Sequence, residues 1–210
     1  MAVYTVLTPH DIKSILDKYQ IGSMYSYQEI SAGIENTNYF LTTRSPDGAS
    51  KEWVLTLFEN MEEGDLPYVC HLTEHLVMDG FDVPAPQKNT MNQATFTFNN
   101  KVGLIVPRLK GVSVDRPNLH ECAEIGKYLA GMHLSLTRFI PRKPLIRDYS
   151  WMLAKKALLE DLMPEDEFFL LGVYLERYRF YQTELLQCPQ GTVHGDLFRD
   201  NVLFDQGEVS

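Results

Sequence analysis

The chain is predicted to be an α+β protein in two lobes, a five-stranded antiparallel sheet lobe with one inserted helix and then a mainly helical lobe. Three observations predict this. Short apolar runs suited to strands recur five times up to about residue 106, with one helical pattern between the third and fourth. From about Asn118 to Gln187 the apolar spacing is helical throughout. Pro107-Arg108-Leu109-Lys110-Gly111, where the pattern changes, is the natural hinge. The expected organisation is therefore a sheet lobe over 1–106, a hinge over 107–111 and a helical lobe over 112–210.

In chain order, Thr8-Pro9-His10-Asp11 has an N-cap with Pro at the first helical position. Ile12, Ile15, Leu16 and Tyr19 follow at helical spacing, giving a leading helix over 8–20 that Gly22 ends. Tyr25, Tyr27 and Ile30 then alternate with polar residues as a first strand, and Tyr39 to Thr43 return as a second. The turn Ser45-Pro46-Asp47-Gly48 leads to a third strand, Trp53 to Phe58. Acidic residues at Glu62, Glu63 and Asp65 suit the start of a helix carrying Leu66, Val69, Leu72, Leu76 and Val77, which Gly80 closes. Thr95 to Phe98 and Val102 to Val106, around Asn99-Asn100, complete the sheet as a hairpin. In the second lobe, Leu119, Cys122, Ile125, Leu129, Met132 and Leu136 form one apolar stripe, with Gly126 and Ala130 allowing close packing. Two further helices are predicted over 151–161 and 165–186, the second turning Phe168, Leu171, Leu175, Tyr178 and Leu185 inward. Gly191-Thr192-Val193 and Val202-Leu203-Phe204 read as short strands flanking a polar loop, and Asp205-Gln206-Gly207-Glu208 as a hairpin turn.

Composition narrows the function. With 28 acidic against 19 basic residues and a formal charge of −9, nucleic acid and anionic membranes are excluded as main partners, so basic groups that meet phosphate must be local. No apolar run approaches the roughly 18 residues that a membrane span requires, and Met1-Ala2-Val3-Tyr4 lacks the basic start of a signal peptide. A cytoplasmic location is the expectation. Cys70, Cys122 and Cys188 lack metal-site or disulfide spacing and are read as buried thiols. His71 and His75 are four apart on a helix, with no third metal ligand nearby.

The polar loop carries the chemistry. His194-Gly195-Asp196-Leu197-Phe198-Arg199-Asp200-Asn201 has the His-x-Asp, four residues, Asn spacing of a phosphoryl-transfer loop. One loop there points a base at a hydroxyl and an oxygen ligand at the metal that accompanies the nucleotide. His-Gly-Asp is also an ordinary turn sequence; the flanking strands and hairpin favour the catalytic reading. The stretch from Ser31 to Asn38, with Gly33 among small and amide side chains, reads either as a plain hairpin turn or as a phosphate-covering loop. Asp196 makes the second the better reading.

This order of elements resembles the bilobal protein-kinase-like fold and, more narrowly, the aminoglycoside phosphotransferase superfamily of small-molecule kinases. The resemblance rests on Gly126-x-x-Leu129-Ala130-x-x-His133, Val83-Pro84-x-Pro86 and the His194 to Asn201 motif. Ala32 to Tyr39, Trp53 to Glu59 and Asp196 to Asn201 look most like the bacterial homoserine kinase subfamily. The resemblance implies an ATP- and Mg²⁺-dependent kinase acting on a small hydroxyl acceptor, L-homoserine before choline, an aminoglycoside, a sugar amine or methylthioribose. It implies Asp196 as the base and Asn201 as the magnesium ligand. Ser31, Gly33, Asn36, Thr37 and Asn38 would cover the phosphates. Backbone groups from Val106 through Arg108 to Leu109 would pair with adenine, Leu203 would lie beneath the ring, and Arg199 would lean on the transferred phosphoryl group. Thr56 stands where relatives carry a phosphate-gripping Lys, so Glu74 has no evident partner and reads as a solvated helix residue. Gly195 replaces the Arg of the protein-kinase loop, which points away from control by activation-loop phosphorylation. A second metal-binding Asp and the helices that hold the acceptor are implied beyond Ser210. The expectation is an incomplete helical lobe that is poorly soluble as a monomer and, in these 210 residues, binds nucleotide without useful turnover. A nucleotide-binding pseudokinase is the alternative from another class.

Overall fold

A computed structural model describes residues 4–31, 36–59, 66–141 and 147–210. The chain divides into two compact units, Met1–Phe139 with His194–Ser210, and Ile140–Val193.

In the larger unit, β1 (Ser23–Ile30), β2 (Asn36–Arg44), β3 (Ser50–Phe58), β4 (Thr95–Phe98) and β5 (Lys101–Pro107) form one antiparallel sheet in the order β1-β2-β3-β5-β4. This is the five-stranded sheet that the sequence predicts. Asn99 and Asn100 both take positive φ, 47° and 61°, as a two-residue hairpin turn requires, and Asn tolerates that region better than most residues. Two strands start earlier than expected. β2 begins at Asn36, and β3 begins at Ser50 because Ser50, Lys51 and Glu52 pair with Arg44, Thr43 and Thr42. Their polar side chains hide this, since the ladder needs only backbone groups.

Strand alternation gives the sheet two faces. Tyr39, Leu41, Trp53, Leu55, Leu57 and Ile105 are buried against Leu7 and against Ile12, Ile15 and Leu16 of α1 (Pro9–Leu16). Thr8 caps that helix with Pro9 at its start, as the sequence predicts, and Asp11 returns the cap to the Thr8 backbone. Fully burying each such apolar side chain stabilises the lobe by about 1.5–3 kcal/mol. On the other face Leu66, at the start of α2 (Leu66–Met78), packs on Val102, Leu104, Phe58 and Val106. Leu76 of α2 then joins Leu136 and Phe139 at the end of α3 (Leu119–Leu136).

Among the described residues of α3, only Ser135 and Leu136 are buried. The predicted stripe is thus half-covered, with Leu119 91% exposed and Met132 packed against Leu76. Cys70 is buried as expected, but Cys122 on α3 is exposed, as is Cys188, which lies past the last long helix of the chain, Glu165–Leu185. Glu74 also departs from expectation. Its carboxylate lies 2.9 Å from Lys88 Nζ in the connection between α2 and β4, so it is paired, not merely solvated.

In the smaller unit, α4 (Tyr149–Ala157) packs on α5 (Glu165–Leu185). Leu175 is buried, Phe168, Leu171 and Tyr178 are half-buried, and Leu185 is exposed instead of inward. Tyr149 stacks on Tyr178, and Lys156 Nζ sits 3.5 Å from the centre of the Phe168 ring.

Candidate active site

Residues 191–193 form no strand, and Val193 is exposed. The polar loop is held from its far side. Val112, just past the expected hinge, forms a two-bond bridge with Phe204, N–H to carbonyl at 3.1 Å and carbonyl from N–H at 2.9 Å. Gly111, at φ 96°, allows the approach, since a Cβ there would stand 2.7 Å from the Phe204 carbonyl oxygen. The predicted strand over 202–204 shrinks to β6 (Phe204–Asp205), paired with β7 (Glu208–Val209). Gln206 and Gly207, both at positive φ, make the turn.

Within the loop, Gly195 at φ 79° reverses the chain. The Asp196 N–H donates to His194 Nδ1 at 3.3 Å. The Asp196 carbonyl accepts from the Phe198 N–H at 2.9 Å, and a single 3₁₀ turn, Arg199–Asn201, follows. The result is a direct contact between residues five apart. Asn201 Nδ2 donates to the Asp196 carbonyl at 2.7 Å and to its carboxylate Oδ2 at 3.3 Å. With its nitrogen committed, the Asn201 amide keeps its oxygen as an acceptor or ligand beside a carboxylate. An open pocket of about 410 Å³ is lined by Asp196, Asn201, Phe198, Arg199, Asp200 and, from the chain after the hinge, Ser113 and Asp115. Arg199 Nη1 donates to the Asp115 carbonyl at 2.8 Å, which ties the loop to that segment.

The donor set suits a hard cation. A carboxylate and an amide oxygen are the oxygen ligands magnesium takes, with phosphate and water completing its shell. Among the described residues no three His, Cys, Asp or Glu side chains converge on a metal-binding position.

The sheet face opposite α1 carries others of the expected site residues. Register aligns Asn38, Thr56 and Leu104 in one row and Phe40, Val54 and Val106 in the next. The Thr56 hydroxyl donates to Asn38 Oδ1 at 2.7 Å, so the position where a Lys was looked for holds a neutral, satisfied pair. Arg108 stacks its guanidinium 4.1 Å from the centre of the Phe40 ring and reaches Glu52 at 3.2 Å. Its N–H donates to the Glu52 carbonyl at 3.1 Å and is therefore not free to meet a base. A trans peptide then turns the Pro107 carbonyl away from β3.

Other expected residues are placed as follows. Ser31 is exposed at the end of β1, and Asn36 is half-buried at the start of β2. Gly33 lies outside the described residues. Leu203 is half-buried between buried Val202 and Phe204. Leu109 is half-buried just past β5. Thr37 is not in a phosphate loop at all. It belongs to β2, is 0% exposed, and points to the α1 face, so it offers a nucleotide no surface.

Sequence reasoning missed what holds Thr37. Its Oγ1 accepts from the N–H groups of Tyr4 and Thr5, each at 3.0 Å, and donates to Glu59 Oε1 at 2.6 Å. Thr5 Oγ1 also donates to Glu59, at 2.8 Å, and Lys101 Nζ donates to both Thr5 and Glu59. Burial pushes the Glu59 carboxyl up, but the hydrogen bonds from Lys101, Thr37 and Thr5 and the Lys101 charge outweigh it and hold the group below its ordinary range. The available signal was parity, because Glu59 continues the buried series Leu55, Leu57.

A bilobal-kinase sheet with a His-x-Asp-x4-Asn loop defines a class, that of phosphoryl-transfer enzymes. The chain belongs to the phosphotransferase enzyme family, whose model matches residues 26–210. It is 36% identical over 209 residues to a homoserine kinase of Methylobacillus flagellatus, covering 100% of this chain and 63% of that protein. A homoserine kinase of Ralstonia pickettii is 35% identical over 210 residues, covering 98% of this chain and 62% of that one. The chain thus spans less than two thirds of the length of these relatives. Among solved structures, an amicoumacin kinase in complex with AMP-PNP, Ca²⁺ and its ligand superposes with a TM-score of 0.69 at 18% identity, covering 94% of this chain and 60% of that chain. A spectinomycin phosphotransferase in complex with ADP and spectinomycin superposes with a TM-score of 0.64 at 13% identity, covering 98% and 68%. Both share its fold.

Proposed function

We propose that this chain carries the nucleotide-binding sheet and catalytic loop of an ATP- and Mg²⁺-dependent kinase that phosphorylates the side-chain hydroxyl of L-homoserine. The observation that carries the reading is the Asp196–Asn201 contact, which sets a carboxylate and an amide oxygen side by side on one polar loop. Asp196 takes the proton of the acceptor hydroxyl as its oxygen attacks the γ-phosphorus, and the bond to the β,γ-bridging oxygen breaks to leave ADP. Asn201 Oδ1 would be a ligand for magnesium, which would neutralise charge on the phosphate oxygens. Arg199 retains donors beyond the one given to Asp115 and lends positive charge to the same pocket. Asn36, Asn38 and Ser31 lie toward the phosphates. Phe40, Val54, Val106 and Leu203 form the slot for the base, and the Pro107 carbonyl and Leu109 N–H offer it the hinge edge. No helix of the described residues is long and apolar enough to cross a membrane.

The choice of homoserine rests on the 35–36% identity to homoserine kinases spread over essentially the whole chain. An ADP-release assay on the intact protein with a panel of hydroxyl acceptors tests it. Turnover with homoserine supports the reading; turnover only with choline, an aminoglycoside or a sugar would replace the acceptor and keep the chemistry. A second reading, a nucleotide-binding module without transfer, is favoured by the Thr56–Asn38 pair standing in place of a cation. ATP binding with no turnover on any acceptor would select it.

A further inference from the structure

The polar network on the α1 face has no part in the chemistry just described. It joins four stretches far apart in sequence: the segment before α1 (Tyr4 and Thr5), β2 (Thr37), the end of β3 (Glu59) and the start of β5 (Lys101). It is a saturated site. The Thr37 hydroxyl uses its one proton and both lone pairs, and Glu59 accepts through both oxygens, with side-chain exposures of 9% for Glu59 and 31% for Lys101. Burying a carboxylate costs several kcal/mol unless it is paired and hydrogen-bonded, so such a group needs its partners in fixed positions. Plain packing would be served as well by an apolar residue at 59 beneath Leu57.

Strand geometry converts this fixity into a constraint on the opposite face. Thr37 lies between Asn36 and Asn38, whose side chains leave the other side of β2. A one-residue slip of β2 would exchange the faces. Thr37 is held by three hydrogen bonds on one side, while Asn38 is held by the Thr56 hydroxyl on the other. Lys101 is committed here and cannot serve as the missing strand cation.

We propose that Thr5, Thr37, Glu59 and Lys101 are positioning residues that hold Asn36 and Asn38 toward the nucleotide phosphates from the far side of the sheet. The proposal rests on the nucleotide reading above. The test is calorimetric titration of the intact protein with ATP and magnesium, below the unfolding temperature of every variant, alongside thermal unfolding. Thr37→Val, close in shape but without the hydroxyl, weakens nucleotide binding about tenfold, and Thr37→Ser stays within about twofold of wild type. Ile12→Ala, in the apolar core of α1, lowers stability and leaves nucleotide affinity unchanged. If Thr37→Val does not fold, Thr5→Val, which removes one hydroxyl of the same network, is expected to weaken binding about threefold. Affinity within twofold of wild type in the folded valine variants, or a loss in Ile12→Ala matching theirs, overturns the positioning role and leaves the nucleotide reading standing. Absence of nucleotide binding by the wild type overturns the nucleotide reading, and this proposal with it.

Discussion

Replacing Gly111 with alanine probes the clasp behind the catalytic loop. Two effects add there. Alanine at φ 96° occupies a region that L-residues avoid, at a cost of about 1–3 kcal/mol. The new Cβ would also lie 2.7 Å from the Phe204 carbonyl oxygen and 2.9 Å from its carbon, both backbone atoms with no side-chain freedom to yield. The Val112–Phe204 bridge must then open, and its two hydrogen bonds contribute about 0.5–1.5 kcal/mol each. The expected loss is about 2–6 kcal/mol, a large part of the stability of an ordinary domain. Urea unfolding followed by the fluorescence of Trp53, buried in the sheet core, measures it. Gly48→Ala is the control, since φ there is 88° but nothing lies within 4 Å of the added Cβ, so that variant meets the backbone strain alone. Equal losses in the two variants, or a loss below about 0.5 kcal/mol at Gly111, would refute the clasp as described.

Asp196→Asn is expected to lower turnover at least 10²-fold with little change in nucleotide affinity, as removal of a positioned base does, and single-turnover kinetics would show it. In thiol labelling of the native protein, Cys122 and Cys188 should react well before Cys70, which is buried and whose thiol burial pushes up. Asp79 supplies a pH dependence. The Ser135 hydroxyl, opposed by a smaller desolvation effect and helped by the charges of Arg138 and His75, holds its carboxyl below the ordinary range. A depressed carboxyl contributes stability that is present above its unfolded pKa and lost as pH falls through the folded value. The melting temperature should therefore fall on acidification from about pH 4 downward, and less steeply in Asp79→Asn.

What could be read from the residues alone was whatever repeats or caps. The apolar runs Tyr39 to Thr43 and Trp53 to Phe58 marked strands, and Thr8 before Pro9 marked a helix start, because each is a local signal with a local cause. The His194 to Asn201 spacing marked the loop for the same reason. Long-range partners were not legible. Glu74 looked solitary because Lys88, its partner, belongs to a connection without periodicity. Thr37 looked like a loop residue because its neighbours are Asn36 and Asn38, and only the distant Glu59 and Thr5 explain a buried hydroxyl there. Cys122 was assigned to a core by a helical stripe, yet a stripe states which face is apolar and not what lies against it.

The Thr56–Asn38 pair bears on how this chain could acquire or lose a strand lysine. Lysine at position 56 would remove the hydroxyl from which Asn38 accepts, while the carboxylate of Glu74 already faces Lys88. Asn38 is only half-buried, so the new ammonium or water can donate to its Oδ1 in the hydroxyl's place. The strand position is therefore neutral by composition and not by constraint, and a single substitution suffices to put a charge there.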